Sequence, residues 1–377
     1  MVNSFIVLVI KSQESMASKP FSFDFLNGIW ADGSSSSFFS VEPIGPRQET
    51  FSLPEMVKAL QNPDTRDRAL HLLATKIRGH DEMKFICKDA RKDQLALLLW
   101  KTPGIIFVLL QEVIDTYRVL STSQLTDNVT TRVCNALSLL QKVASHPETT
   151  LQFMKASIPQ YLYPFLNITE TDRAHEYLRL TSLGVIGSML KVCSSSSSLL
   201  VLKWISFIKK IKDLWINPQD DSNDEAVVFL LSSEVFPYVL RCMNVGAELS
   251  KTVAVYIIHR ILLNREGVRY CCTVGERYYA VAKTLANMVD EIPVHVSCKR
   301  LLKHIVSCYV TLSENARSCD GLVTCFPRRL VDGSFYHLLN DDPAVKVYLQ
   351  KLLHTIHGGS RAKIQLAEEA LGRFIGS

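Results

Sequence analysis

An all-α helical-repeat fold is what this sequence predicts, and three observations carry the prediction. From Leu53 onward the apolar residues recur at helical spacing, with no sustained period-two run bounded by Asn-Gly or Asp-Gly turns. Helix punctuation is regular, with Asn, Ser, Thr and Pro clustered between the apolar stripes. Four long helical segments look alike and return at related intervals.

The elements follow in chain order. Phe5 to Ile10 is a short apolar run closed by Lys11. It lacks a basic flank and falls below the ~7–15 apolar residues of a signal peptide. Met16-Ala17-Ser18 reads as a second start site, which makes residues 1–15 an extension. Residues 31–48 are rich in Ser, Gly and Pro, so 1–52 are expected to form a disordered leader. The folded domain is expected over 53–357, with 358–377 as a C-terminal tail or helix. Asn62-Pro63-Asp64 predicts a helix through Lys76 with Asp64 or Thr65 as its N-cap. Ser145-His146-Pro147-Glu148 ends one helix and opens the next, and Asn217-Pro218 and Glu291-Ile292-Pro293 do similar work. No stretch reaches the ~20 apolar residues of a spanning helix, so no membrane partner is expected.

The four similar helices are predicted over Arg132–Ala144, Tyr177–Lys191, Leu249–Leu263 and Arg300–Leu312. Each carries a basic residue near its start, then an apolar stripe, then a polar break. Their ends are 47, 72 and 49 residues apart. The long interval contains residues 193–219, a Ser-rich and Lys-rich stretch, and removing it leaves 45. A period of ~40–47 residues in an all-helical chain marks armadillo or HEAT repeats. Such units bury their apolar faces only by stacking, so about six repeats in a superhelix are expected. In an armadillo unit the third helix lines a groove. The predicted ladder is Arg132 and Asn135, then Tyr177 and Arg179, then Lys251, then Arg300 and Lys303. That ladder reads either as a groove for an extended peptide or nucleic-acid backbone, or as ordinary solvated helix starts.

Composition agrees with a globular chain. Of 377 residues, 47% are hydrophobic and 21% charged, which excludes collagen, a coiled-coil rod and a mainly disordered chain. The net charge of +5 permits a local basic surface. None of the ten cysteines forms a C-x2-C pair, and most sit in helical apolar patterns such as Val133-Cys134-Asn135. They read as small core hydrophobes in a reducing compartment, with no metal and no cofactor expected.

Catalytic motifs are missing from the sequence. It contains no G-x-G-x-x-G, no G-x4-G-K-[ST], no H-E-x-x-H and no G-x-S-x-G. His80-Asp81-Glu82 and Asp220 to Glu225 lack the spacing of a zinc or calcium site. Leu199–Ile216 is amphipathic and basic, and reads as an inserted or irregular helix packed on the array, against a membrane-surface or partner-groove role. No catalytic residue is expected.

Several strings go beyond a generic array. They are Arg132–Thr149 (RVCNALSLLQKVASHPET), Ile158–Leu166, Glu176–Gly187 (EYLRLTSLGVIG), Glu248–Ala254, Arg300–Tyr309 (RLLKHIVSCY) and Leu312–Arg317 (LSENAR). In this order they closely resemble the Rcd-one/Caf-forty family, required for cell differentiation and counted as the ninth subunit of the CCR-four–NOT deadenylase complex. The resemblance covers about 53–355 apart from the stretch near 193–219.

The resemblance implies a non-catalytic armadillo adaptor that docks on the NOT-one scaffold and recruits mRNA regulators through tryptophan-bearing or helical peptide motifs. Homodimerisation and single-stranded nucleic-acid binding are also associated with the family. It implies work in mRNA turnover and translational repression, in the cytoplasm including P-bodies and in the nucleus. Residue by residue, Leu99-Trp100-Lys101-Thr102-Pro103-Gly104 resembles the family's L-W-x-x-x-G string at the scaffold interface, with Trp100, Pro103, Phe107 and Ile114 as docking residues. Tyr177, Gly184, Lys251 and Val253 match the concave peptide-binding face. Arg277 matches the arginine of Y-E-R and Arg317 that of S-x-N-x-R, both associated with tryptophan pockets. Here Gly275 stands where that motif has tyrosine, which removes one wall. The alternative reading is a single-stranded nucleic-acid-binding array in which Arg132, Arg179, Arg300 and Lys303 track phosphates.

Overall fold

Ser52 opens the first helix. Its backbone N–H and hydroxyl both donate to Glu55, 2.8 and 2.7 Å away, forming the reciprocal N-terminal box. In this computed structural model residues 52–78, 94–122, 125–208, 225–293, 299–335 and 343–356 are described. Every regular element among them is helical. The expected leader up to Phe51 and tail from 358 lie outside them, as do His80-Asp81-Glu82 and Asn217-Pro218. The chain divides between Tyr161 and Leu162 into two compact units.

The first unit holds α1 (Leu53–Ala59), α2 (Pro63–Arg78), α3 (Gln94–Lys101), α4 (Ile105–Thr116), α5 (Asp127–Ala144) and α6 (Pro147–Lys155). The cap of α2 corrects the sequence reading. Asn62 Oδ1 accepts the Asp64 N–H at 3.0 Å, because Pro63 has no N–H and takes the first helical position, so the cap lies two residues before Asp64. Between α3 and α4 the chain turns by 85° through Thr102-Pro103-Gly104, with Gly104 left-handed at φ 79°. Helix α5 is capped by Thr126 and α6 by His146, whose Nδ1 accepts the Glu148 N–H. Helix α5 is the centre of the unit and packs on α2, α3, α4 and α6. Its Leu137, Leu139, Leu140 and Val143 are completely buried, each side chain contributing about 1.5–3 kcal/mol of burial.

The second unit holds α7 (Tyr163–Leu166), α8 (Arg173–Ile208), α9 (Glu225–Ser232), α10 (Val235–Val245), α11 (Glu248–Leu262), α12 (Arg265–Thr273), α13 (Gly275–Glu291), α14 (Lys299–Ser313), α15 (Ala316–Cys325) and α16 (Pro343–Ile356). Helices α8, α11, α14 and α16 pack in succession as one row. Helices α7, α10, α13 and α15 pack in succession as another. Apolar residues such as Leu183, Ile186, Ile257, Ile258, Ile305, Leu349 and Leu352 fill the first row. Gly267 is where α12 meets the end of α11: a Cβ there would lie 1.8 Å from the Ile261 carbonyl oxygen, so no other residue fits.

The predicted helix over Tyr177–Lys191 is longer than expected. The backbone stays helical from Arg173 to Ile208 and so enters the 193–219 stretch read as an insertion; residues 209–219 lie outside the described part. Ser and Leu are both admissible in a helix, so the Ser run did not break it. Cys134, Cys242, Cys271 and Cys308 are buried free thiols, and burial pushes the Cys242 thiol up to about 12.

Candidate binding surfaces

In the first unit, α4 shows two different faces. Ile105, Leu109 and Val113 are fully buried against the unit, while Phe107 is 70% and Ile114 37% exposed. These two are seven residues apart, two turns along one face and about 10.5 Å by helix rise. Pro103 is exposed at the head of the stripe, and its carbonyl accepts from Gln61 Nε2 at 2.7 Å. Trp100 is half-buried, its indole N–H donating to Gln152 Oε1 of α6.

The buried face of α4 is locked by charge. Glu112 is buried and accepts from Arg132 of α5 through Nε at 2.5 Å and Nη2 at 2.8 Å, with Arg66 of α2 at 3.4 Å. Asp67 also pairs with Arg132 Nε at 3.1 Å. One carboxylate thus ties three helices, and the exposed apolar stripe stands on a fixed helix. Arg132 is engaged by two acids, and Asn135 is buried beside the stripe of α5.

In the second unit the ladder departs from the expectation at several positions. Arg179 is completely buried. Its guanidinium is held by Glu176 and donates to the Ile168 carbonyl at 3.1 Å and the Glu170 carbonyl at 2.8 Å. Glu176 in turn accepts the Ala247 N–H at 3.0 Å, at the start of α11. Arg179 is therefore an internal staple and cannot track phosphates, because leaving those carbonyls unpaired would cost more than a surface contact returns. Gly184 and Val253 are likewise buried in the stacked row, so neither offers side-chain surface to a ligand.

Tyr177 and Lys251 remain half-buried at the edge of the row. Tyr177 OH accepts from Arg173 Nε at 3.3 Å, and Lys251 Nζ pairs with Glu291 at 2.5 Å. Arg300 is exposed and Lys303 half-buried on α14. Between α11 and α14, His259 and His304 meet Nδ1 to Nδ1 at 3.3 Å, with the Tyr256 ring edge-on to His304. Burial, then the charges of Lys303 and Arg300, lowers His304 to about 4. Burial first and then its histidine partner hold His259 well below the usual range. Both rings are neutral at pH 7, one donating to the other.

Arg277, half-buried on α13, lies over the Tyr270 ring of α12 at 3.9 Å to the centroid. Tyr270 is braced edge-on by Phe236 of α10, centroids 5.5 Å apart. An aromatic column therefore presents the guanidinium flat. Beside it Gly275 has no heavy atom within 4 Å of where its Cβ would stand, so the missing wall is open space. Arg317 sits in α15; its side chain lies outside the described part.

The model of the Rcd1-like cell differentiation family matches residues 56–213 and 211–356. The chain belongs to this family. The Schizosaccharomyces pombe cell differentiation protein rcd1 is 39% identical over 308 residues, covering 82% of this chain and 94% of that protein. The Saccharomyces cerevisiae protein CAF40 is 39% identical over 305 residues, covering 80% of this chain and 73% of that protein. Among solved structures, an engineered protein aligns with a TM-score of 0.52 at 13% identity, covering 82% of this chain and all of the other. A designed armadillo repeat protein aligns at 0.51 and 15% identity, covering 81% and 100%. The fold is accordingly of the armadillo type.

For this Rcd1-like chain, sequence reading missed Glu112, the Tyr270–Arg277 stack and the histidine pair. The 45-residue separation of His259 and His304, close to the repeat period, is a weak signal for the last. Helices α11 and α14 start 51 residues apart, so the rings are not at equivalent positions: the twelfth residue of α11 meets the sixth of α14. Glu112 carried no such signal, because one acidic residue in an apolar helix looks like a solvated position.

Proposed function

We propose that this chain is a non-catalytic armadillo adaptor of the CCR-four–NOT deadenylase complex, acting in mRNA turnover and translational repression. Family membership supports the complex, and the exposed Phe107–Ile114 stripe of α4 is the observation that carries the docking face. A large aromatic left 70% exposed on a helix pinned by a buried ion cluster is the expected form of an interaction hot spot. The NOT-one scaffold is the proposed occupant of that stripe, with Trp100 and Pro103 at its head. In the second unit, Arg277 on its aromatic column is the proposed seat for a tryptophan of a regulator's motif, with Tyr177 and Lys251 on a separate peptide-binding edge. Holding scaffold and regulator at once raises the local concentration of the nuclease on a chosen message. Cytoplasmic, P-body and nuclear work, and self-association, belong to the same reading.

The test is a pull-down of the full chain with a purified NOT-one fragment, beside a Phe107→Asp variant. Retention by the parent and loss in the variant support the reading; equal retention by both overturns the docking face. The nucleic-acid alternative is weaker than the sequence suggested. Arg179 is buried and Arg132 is paired with Glu112 and Asp67, which leaves Arg300 and Lys303 of its four residues.

A further inference from the structure

Beyond the α4 stripe and the Arg277 column, the second unit carries a third surface. A groove of about 570 Å³ runs between α10 and α13. Its floor is apolar, with Leu240 and Val245 from one helix and Ala280 from the other. Its cations are Arg241 and Lys283, one from each helix, and among the described residues no Asp or Glu lines it. Two carboxamides, Asn244 and Asn287, stand one turn beyond the cations, and Pro237 and Thr284 also line the groove.

The arrangement repeats. On α10 the cation and the amide are at 241 and 244; on α13 they are at 283 and 287. Both spacings place the two groups on one helix face. The cations are 42 residues apart and the amides 43, close to the repeat period, so successive repeats present the same pair across the groove. Arg241 is exposed and, among the described residues, donates at a long 3.5 Å to the Asn167 carbonyl. Lys283, Asn244 and Asn287 are exposed as well.

The chemistry selects the occupant. Two exposed cations, with no acid lining the groove among the described residues, favour an anionic partner, and the apolar floor favours one that also carries a hydrophobic side chain. An asparagine carboxamide both donates and accepts, which matches the alternating N–H and C=O of a peptide backbone. One helical turn, about 5.4 Å, is close to the rise of two residues in an extended chain. Among the described residues no aromatic side chain lines the groove, so they offer nucleic-acid bases no stacking platform.

We propose that the α10–α13 groove docks a short extended peptide in which acidic and apolar residues alternate. A carboxylate sits between Arg241 and Lys283, an apolar side chain meets Leu240 and Ala280, and the peptide backbone bonds Asn244 and Asn287. This site is separate from the scaffold stripe and from the tryptophan seat.

The test is fluorescence anisotropy on the full chain with three fluorescein-labelled probes: a hexapeptide alternating Glu and Leu, the same peptide with Gln for Glu, and a single-stranded oligoadenylate. The acidic probe is expected to bind at least about tenfold more tightly than the Gln probe. The double variant Arg241→Glu, Lys283→Glu should lose about tenfold or more. Ala280→Trp, which keeps both cations and fills the floor, should also weaken binding. All three positions are exposed, so thermal melting and NOT-one retention should match the parent. The proposal is overturned if the acidic probe binds the double variant as it binds the parent, or fails to bind the parent at up to about 1 mM. It is also overturned if the oligoadenylate alone shows the groove-dependent loss.

Discussion

Arg132 grips Glu112 with two hydrogen bonds, Nε to Oε2 at 2.5 Å and Nη2 to Oε1 at 2.8 Å, and this grip holds α4 to α5. The acid is buried and the arginine partly solvated. Removing the acid strips the cluster of the acceptor that Arg66 and Arg132 share, whereas removing Arg132 leaves Arg66 still beside Glu112. Glu112→Ala is expected to cost about 2–3 kcal/mol and Arg132→Ala less. Urea unfolding of both single variants and the double variant measures the coupling, and a coupling below about 0.5 kcal/mol would contradict the clamp.

Phe107 separates binding from stability. Because it is mostly exposed, Phe107→Asp should change unfolding free energy by no more than about 0.5 kcal/mol while abolishing NOT-one retention. Leu109, two residues on and fully buried, should behave in the opposite way, with Leu109→Ala costing about 2–5 kcal/mol. Circular dichroism melts run beside the pull-down would distinguish them.

Arg179 is expected to matter for folding and not for nucleic-acid affinity. Arg179→Ala leaves the Ile168 and Glu170 carbonyls without their donor and frees Glu176 from its partner. A loss of about 3 kcal/mol or more follows. The slope of oligoadenylate affinity against salt should be unchanged, and a shallower slope would mean that Arg179 contacts phosphate after all.

The histidine pair makes stability depend on pH in one direction. Both rings have lowered proton affinity when folded, so the unfolded chain binds protons first as pH falls. Stability is full above about 6.5, falls from there toward 4, and the His304 share levels off below 4. The loss should be on the order of 2 kcal/mol, discounted for the half-buried His304 ring. Urea midpoints between pH 7 and 4 test this, and His304→Gln should flatten the profile; an unchanged slope would remove the pair from the explanation.

Gly275 sets the depth of the tryptophan seat. Nothing stands within 4 Å of a Cβ at this position, so Gly275→Tyr should fit without strain and restore a wall beside Arg277. Affinity for a tryptophan-bearing peptide should rise several-fold, and Tyr270→Ala should lower it by releasing the guanidinium. Titration calorimetry reads both; a weaker Gly275→Tyr complex would place the indole elsewhere.

The sequence alone determined the helical class, the family and several helix ends. Those are local: a capping Ser52 with Glu55, a Pro147 at a first turn, an apolar period close to 3.6. It also held the repeat period, since stacked units return similar helices at similar intervals, as α11 and α14 do. Tertiary structure decided which basic residues face water. Arg179 and Arg300 occupy similar places near the starts of similar helices and read alike in the chain. One is sealed by carbonyls at 168 and 170, the other is exposed on α14. Helical spacing gives a residue's angle around its own axis and says nothing of the loop that closes over it. For the same reason Gly184 and Val253, matched by resemblance to a groove, are buried, while Phe107, matched to a docking face, is exposed. Burial is a property of the neighbours, and the neighbours come from distant parts of the chain.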